Sequence, residues 1–110
     1  MPQATLETTV RATADGPVIV LHGDIDGAAK QALSAAYDEA SGEARLVLDF
    51  AAVDYINSTG IALIVGLLAR ARSEHRTILA AGLSDHYRQI FEITRIADFM
   101  TILDNHGTPE

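Results

Sequence analysis

The sequence predicts an α/β fold, a mixed β-sheet of four to five strands packed with three or more helices. Three observations predict it. Stretches of strand-like patterning alternate with stretches of helical period. The first two strand-like stretches are joined by a tight turn signal, which implies an antiparallel hairpin. The remaining strands each follow a helix, which implies parallel pairing across right-handed crossovers. The 110 residues fit one domain. Its core is expected over residues 5–103, with a flexible tail at 104–110.

The elements follow in order. Leu6, Thr8, Val10 and Ala12 alternate with Glu7, Thr9, Arg11 and Thr13. Period two reads as a half-buried strand at an edge. Asp15-Gly16-Pro17 is a turn signal. Val18-Ile19-Val20-Leu21 is a continuous apolar run, so a more deeply buried strand is expected. Gly23-Asp24-Ile25-Asp26-Gly27 breaks it, and Asp26 is placed to cap the next helix. Ala29, Leu33, Ala36 and Ala40 form one helical face, with Lys30, Gln31, Ser34, Asp38 and Glu39 mostly outside. Ser41-Gly42-Glu43 ends that helix.

Leu46-Val47-Leu48-Asp49-Phe50 predicts a central strand covered on both faces, followed by a connector over Ala51 to Ile56. Asn57-Ser58-Thr59-Gly60 opens a second helix, roughly Thr59 to Glu74. Thr77 to Ala81 is a fourth strand ended by Gly82. Ser84 caps a third helix whose apolar stripe is Tyr87, Ile90 and Phe91. Phe99 to Leu103 is a short final strand. The order is β-β-α-β-α-β-α-β.

Composition removes several function classes. The net charge is −7, and Lys30 is the single lysine among scattered arginines. Nucleic-acid binding needs clustered cations to replace phosphate counterions, so no nucleic-acid partner is expected. The longest apolar run, Ile61 to Ala69, is about half of the ~20 residues that span a bilayer. No membrane association is expected, and the N-terminal residues lack a secretory pattern. With no cysteine there is no disulfide, thiolate metal site or Cys nucleophile. Such a chain suits a reducing cytosol, and a cytoplasmic location is expected.

No enzyme signature is present. There is no Gly-x-Ser-x-Gly elbow and no phosphate-binding Gly-Lys-Ser/Thr loop. His22, His75, His86 and His106 form no metal-ligand pair on one helix. His22 beside Asp24 and Asp26 imitates a site, but reads as solvated polar surface. A phosphoryl-receiver domain would need a late lysine, whereas the only lysine is at position 30. No catalytic residue, metal or cofactor is expected.

The informative segment is Asn57-Ser58-Thr59-Gly60. Ser and Thr are preferred at helix N-caps, so Ser58 or Thr59 could be only a cap. The alternative is electrostatic. A helix start exposes unpaired N–H groups with partial positive charge. A phosphate there adds roughly −1.5 to −2 charges without opposing the helix. Gly60 leaves room for close backbone approach. The helix that follows carries Ile61, Ile64, Val65 and Leu68 on one face, while Ala62, Leu63, Gly66 and Leu67 spread apolar character round it. Deep burial on nearly all sides is the commoner cause of that pattern; partial exposure for a partner is the other. Arg70, Arg72, His75 and Arg76 suit the negative helix end.

Leu46 to Ile61, with Asp49, Val53-Asp54-Tyr55-Ile56 and Asn57-Ser58-Thr59-Gly60, resembles the signature of STAS domains, most of all that of bacterial anti-sigma-factor antagonists. Gly23-Asp24-Ile25-Asp26 resembles the family's Gly-Glu-Leu/Ile-Asp element. Tyr87, Ile90, Phe91, Ile93 and Thr94 resemble its late apolar helix. The resemblance spans residues 5–103. It implies a STAS fold and a partner-switching role. The unphosphorylated domain would bind an anti-sigma factor that is also a serine kinase of the ATPase type. Phosphorylation of Ser58, or secondarily Thr59, would release it, and a serine phosphatase would reverse the change. The partner face implied comprises Asp24, Asp26, Asn57, Ser58, Thr59, Gly60 and Ile61. Asn57 stands where the family has Asp, and an amide carries no charge. The alternative is a STAS scaffold or ligand-sensing module that is not phosphorylated.

Overall fold

The turn at Asp15-Gly16 forms where expected, with Gly16 at φ +111°. Thr13 secures it: its hydroxyl donates to the Gly16 carbonyl at 2.6 Å and accepts from the Asp15 N–H at 3.2 Å. The computed structural model describes residues 5–40 and 42–103. Ser41 and the 104–110 tail named above lie outside the described residues. The elements are β1 (Glu7–Thr13), β2 (Gly16–Ile25), α1 (Lys30–Glu39), β3 (Arg45–Ile56), α2 (Ser58–Ser73), β4 (Thr77–Ala81), α3 (Asp85–Ile93) and β5 (Thr101–Ile102). Short 3-10 turns precede α1 (Gly27–Ala29) and β5 (Ile96–Phe99).

All five strands form one sheet in the order β1-β2-β3-β4-β5. β1 is antiparallel to β2, and every other neighbouring pair is parallel. The fold is thus the expected mixed sheet, with β1 at one edge and a two-residue β5 at the other.

Two strands are longer than expected. β2 runs on through Gly23, Asp24 and Ile25, and β3 absorbs the whole Ala51–Ile56 connector. These extensions hold each other: His22 pairs with Ala52, Asp24 with Tyr55 and Ile25 with Ile56, across two register shifts. Bulges of this kind add residues to one strand while the pairing continues.

The coverage of β3 also differs. Leu46, Leu48 and Phe50 are buried, but Val47 and Asp49 between them are only half-buried. β2 alternates in the same way. The core therefore lies on one face of the sheet, between Ile19, Leu21, Leu46, Leu48 and Ile78 and the helices. Phe50 meets Phe91 of α3 edge-to-face, with centroids 6.0 Å apart. In α1 the expected face of Ala29, Leu33, Ala36 and Ala40 is buried, and Tyr37 joins it.

The cations at the end of α2 act on specific partners. Arg70 pairs with Asp38 and sits 4.3 Å from the Tyr37 ring centroid, and Arg76 lies 4.8 Å from the same ring. The Tyr37 hydroxyl donates to Glu74 at 2.7 Å. That bond holds the Glu74 carboxyl below the usual carboxylate range, while burial first, and then the same bond, raises the Tyr37 phenol. The cluster fastens the end of α1 to the end of α2.

α2 stops in a Schellman arrangement. The Arg76 N–H donates to the Ala71 carbonyl at 2.8 Å and the His75 N–H to the Arg72 carbonyl at 3.1 Å. This geometry places His75 in the left-handed region at φ +60°, where glycine is usual. The exposed imidazole gives up little on removal. His75→Gly is expected to raise stability by about 0.5–1 kcal/mol. A urea melt showing a lower midpoint for the variant would contradict that account.

Candidate functional site

The start of α2 is built by three neighbouring elements. The Asn57 N–H donates to the Ile25 carbonyl at 3.2 Å, tying the end of β3 to the end of β2. The Ile56 N–H donates to the Tyr87 hydroxyl at 2.9 Å, which brings α3 to the same point. Gly60 is buried, and a Cβ there would lie 1.9 Å from the Ile25 carbonyl oxygen. The helix can start against β2 only because residue 60 has no side chain.

Neither Ser58 nor Thr59 is the cap. Asn57 takes that position with extended backbone, and its Oδ1 accepts the Gly60 N–H at 2.8 Å. The Ile61 N–H donates to the Asn57 carbonyl at 2.9 Å. Ser58 is thereby the first helical residue; it is exposed, and its hydroxyl makes no hydrogen bond to the described residues. Thr59 is exposed as well. The first turn of α2 carries no acidic residue, so the positive helix end meets no carboxylate within its own turn.

The other candidate residues divide. Asp24 is half-buried near the end of β2, opposite the exposed Tyr55. Asp26 is half-buried and turned to its own backbone: its Oδ1 accepts the Ala28 N–H at 3.0 Å, capping the 3-10 turn rather than α1 itself. That turn still reaches the site. A Cβ on Gly27 would lie 3.5 Å from the Thr59 methyl. Ile61 is half-buried and packs on the core. Among the described residues no group of three or more His, Cys, Asp or Glu side chains could hold a metal ion. No helix of the described residues is long and apolar enough to cross a membrane.

The all-round burial favoured for α2 does not occur. Gly60, Ile64, Leu67, Leu68 and Ala71 are buried, whereas Ala62, Val65, Gly66 and Ala69 are exposed. Val65, which the sequence groups on one face with Ile61, Ile64 and Leu68, is 45% exposed. Ser58, Ala62, Val65, Ala69 and Arg72 recur at spacings of four and three, so a single outward stripe leads away from the hydroxyl. The exposed Tyr55 was not singled out from sequence either. The sequence places it within the Ala51–Ile56 connector, whereas the structure puts it in β3 with its side chain exposed.

Comparison with known proteins gives a consistent result. The family model described as "Mlab, STAS domain" matches residues 8–104. The anti-sigma-B factor antagonist of Listeria monocytogenes is 34% identical over 62 residues, which cover 56% of this chain and 54% of the relative. The chain spans about half the length of the curated relatives it matches. A crystal structure of an anti-sigma factor antagonist from Mycobacterium paratuberculosis aligns with a TM-score of 0.70 at 18% identity, over 92% of this chain and 87% of that one. The Bacillus cell fate determinant SpoIIAA in its phosphorylated form aligns with a TM-score of 0.61 at 18% identity, over 88% and 91%. At these identities the structural likeness is one of fold.

Proposed function

The chain belongs to the STAS domain family, and from that premise we propose that it is an anti-sigma-factor antagonist that works as a partner switch. In this reading the unphosphorylated protein binds an anti-sigma factor that is itself a serine kinase of the ATPase type. The kinase transfers the γ-phosphoryl group of ATP to the Ser58 oxygen, the hydroxyl proton is lost, and ADP leaves. The phosphorylated chain is released, and a serine phosphatase restores the hydroxyl by hydrolysis. The relatives named as anti-sigma-B factor antagonists support the reading.

One observation carries it: the Ser58 hydroxyl is exposed at the helix mouth and is excused from capping because Asn57 does that work. A modified cap would lose its bond to the helix. A modified first-turn residue leaves the Asn57–Gly60 bond intact and places its anion at the positive helix end. What changes is the surface that a partner meets. The docking face would comprise Ser58, Thr59, Tyr55 and Ala62 in the first turns of α2, with Asp24 at its border. Asp26, Asn57, Gly60 and Ile61 would hold that face in position.

Asn57 itself favours a second reading, a scaffold or ligand-sensing module that is not modified, since a neutral amide offers no carboxylate beside the hydroxyl. The two readings part in one experiment. The protein is incubated with ATP and serine kinases of the ATPase type, and the products are read by mass spectrometry. The switch predicts one phosphate on Ser58, stable in acid as an ester. Tight binding to such a kinase with no phosphate on Ser58 or Thr59 would leave the scaffold.

A further inference from the structure

We propose a second docking surface, a groove between α2 and the 3-10 turn before β5, that takes a polypeptide segment presenting an apolar side chain beside a carboxylate. It goes beyond the switch at Ser58. Arg72 lies 14 positions along α2 from Ser58, about 20 Å at the helical rise.

The groove has an apolar half and a basic half. The apolar half, about 310 Å³, is walled by Val65, Leu68 and Ala69 on one side and Ile96 and Phe99 on the other. Val65 and Phe99 are 45% and 55% exposed, so the wall faces water. A second cleft of about 570 Å³ shares Leu68, Arg72 and Phe99 as walls and extends to His75, Arg76 and Thr77. The two halves together form an open trough, which suits a chain segment better than an enclosed small molecule.

Charge identifies the occupant. The chain has eight lysines and arginines against 15 acidic residues. Three of those cations, Arg72, Arg76 and Arg95, line the trough, with Asp98 as the single carboxylate. Asp98 is held by Arg95 at 2.8 Å, and Arg76 points its guanidinium at the carbonyls of Ala40 and Glu43. Arg72 has no carboxylate partner among the described residues and lies 5.5 Å from the Phe99 ring centroid, at the junction of the two halves. An incoming carboxylate would pair with Arg72 while the neighbouring apolar side chain fills the Val65–Phe99 cleft.

The test uses the whole protein as bait for a display library of short random peptides. Enriched peptides should place Asp or Glu beside Leu, Phe or Trp. By fluorescence polarisation the best of them should bind at least tenfold more weakly to Arg72→Glu and to Ala69→Arg. Both changes are at exposed positions and should leave the circular-dichroism melt unchanged. Ser58→Glu should bind the peptide as the wild type does, so failure of the switch and failure of this groove are separable. Enrichment without acidic residues, or equal binding by all variants, overturns the proposal. So does a dimer in sedimentation equilibrium that Ala69→Arg dissociates, since the occupant would then be a second copy.

Discussion

Gly60→Ala is expected to cost more than about 3 kcal/mol, the upper end of what overpacking causes. For a chain of this length that corresponds to a fall in melting temperature of roughly 10 °C or more. The cause is purely steric. The added Cβ would meet the Ile25 carbonyl oxygen at 1.9 Å and its carbon at 2.6 Å. Both are backbone atoms of β2, and that strand is paired on both sides, with β1 and with β3. Neither side can yield without shifting the helix start, which would break the Asn57–Gly60 bond and the Asn57–Ile25 bond. Helix propensity alone predicts the opposite sign, since Ala is favoured over Gly by about 1 kcal/mol inside a helix. The direction of the thermal shift therefore decides between the two accounts. A variant that melts at or above the wild type would show that the contact drawn here is wrong.

Ser58→Glu is expected to weaken binding to the partner kinase at least tenfold, while Ser58→Ala binds as the wild type and resists release by ATP. The substituted side chain is exposed and unbonded, so Ser58→Ala should move the melting temperature by no more than about 4 °C, while Ser58→Glu should raise it by a few °C at most, because its carboxylate meets the positive start of α2. A carboxylate facing a docked protein must be desolvated or repelled, which costs several kcal/mol where no cation awaits it. One carboxylate carries less charge than a phosphate, so the glutamate should be a weaker block than true modification. Titration calorimetry on the three proteins gives the comparison. Equal affinities for wild type and Ser58→Glu would remove the switch at this residue.

The legible parts of the sequence were those with a local cause. Ser84 caps α3 by accepting the Tyr87 N–H, as its position before an apolar helix implies. The alanine-and-leucine face of α1 is buried because its period leaves one orientation available. The cap of α2 is ambiguous in the sequence for an equally local reason. Asn57, Ser58 and Thr59 can all cap, and only the contact with Gly60 selects the first. The strand over Ala51–Tyr55 could not be read locally at all. Its residues show no clean alternation, and it is extended because the end of β2 pairs with it. The outward face of α2 was hidden by its composition: Ala62, Val65 and Ala69 look like core, but the sheet has room for only one side of the helix. The candidate site was visible as a motif, and the division of labour between Asn57 and Ser58 was not.

The borders of the sheet bear on how the protein behaves in a crowded solution. β1 is fringed by Glu7 and Arg11, and β5 contributes only Thr101 and Ile102. A stray strand from another molecule finds a charged rim on one side and too short a template on the other, so fibrous growth has little to seed on. The protein is therefore expected to stay free of fibres as its concentration is raised, and a rise in thioflavin fluorescence with concentration would contradict this.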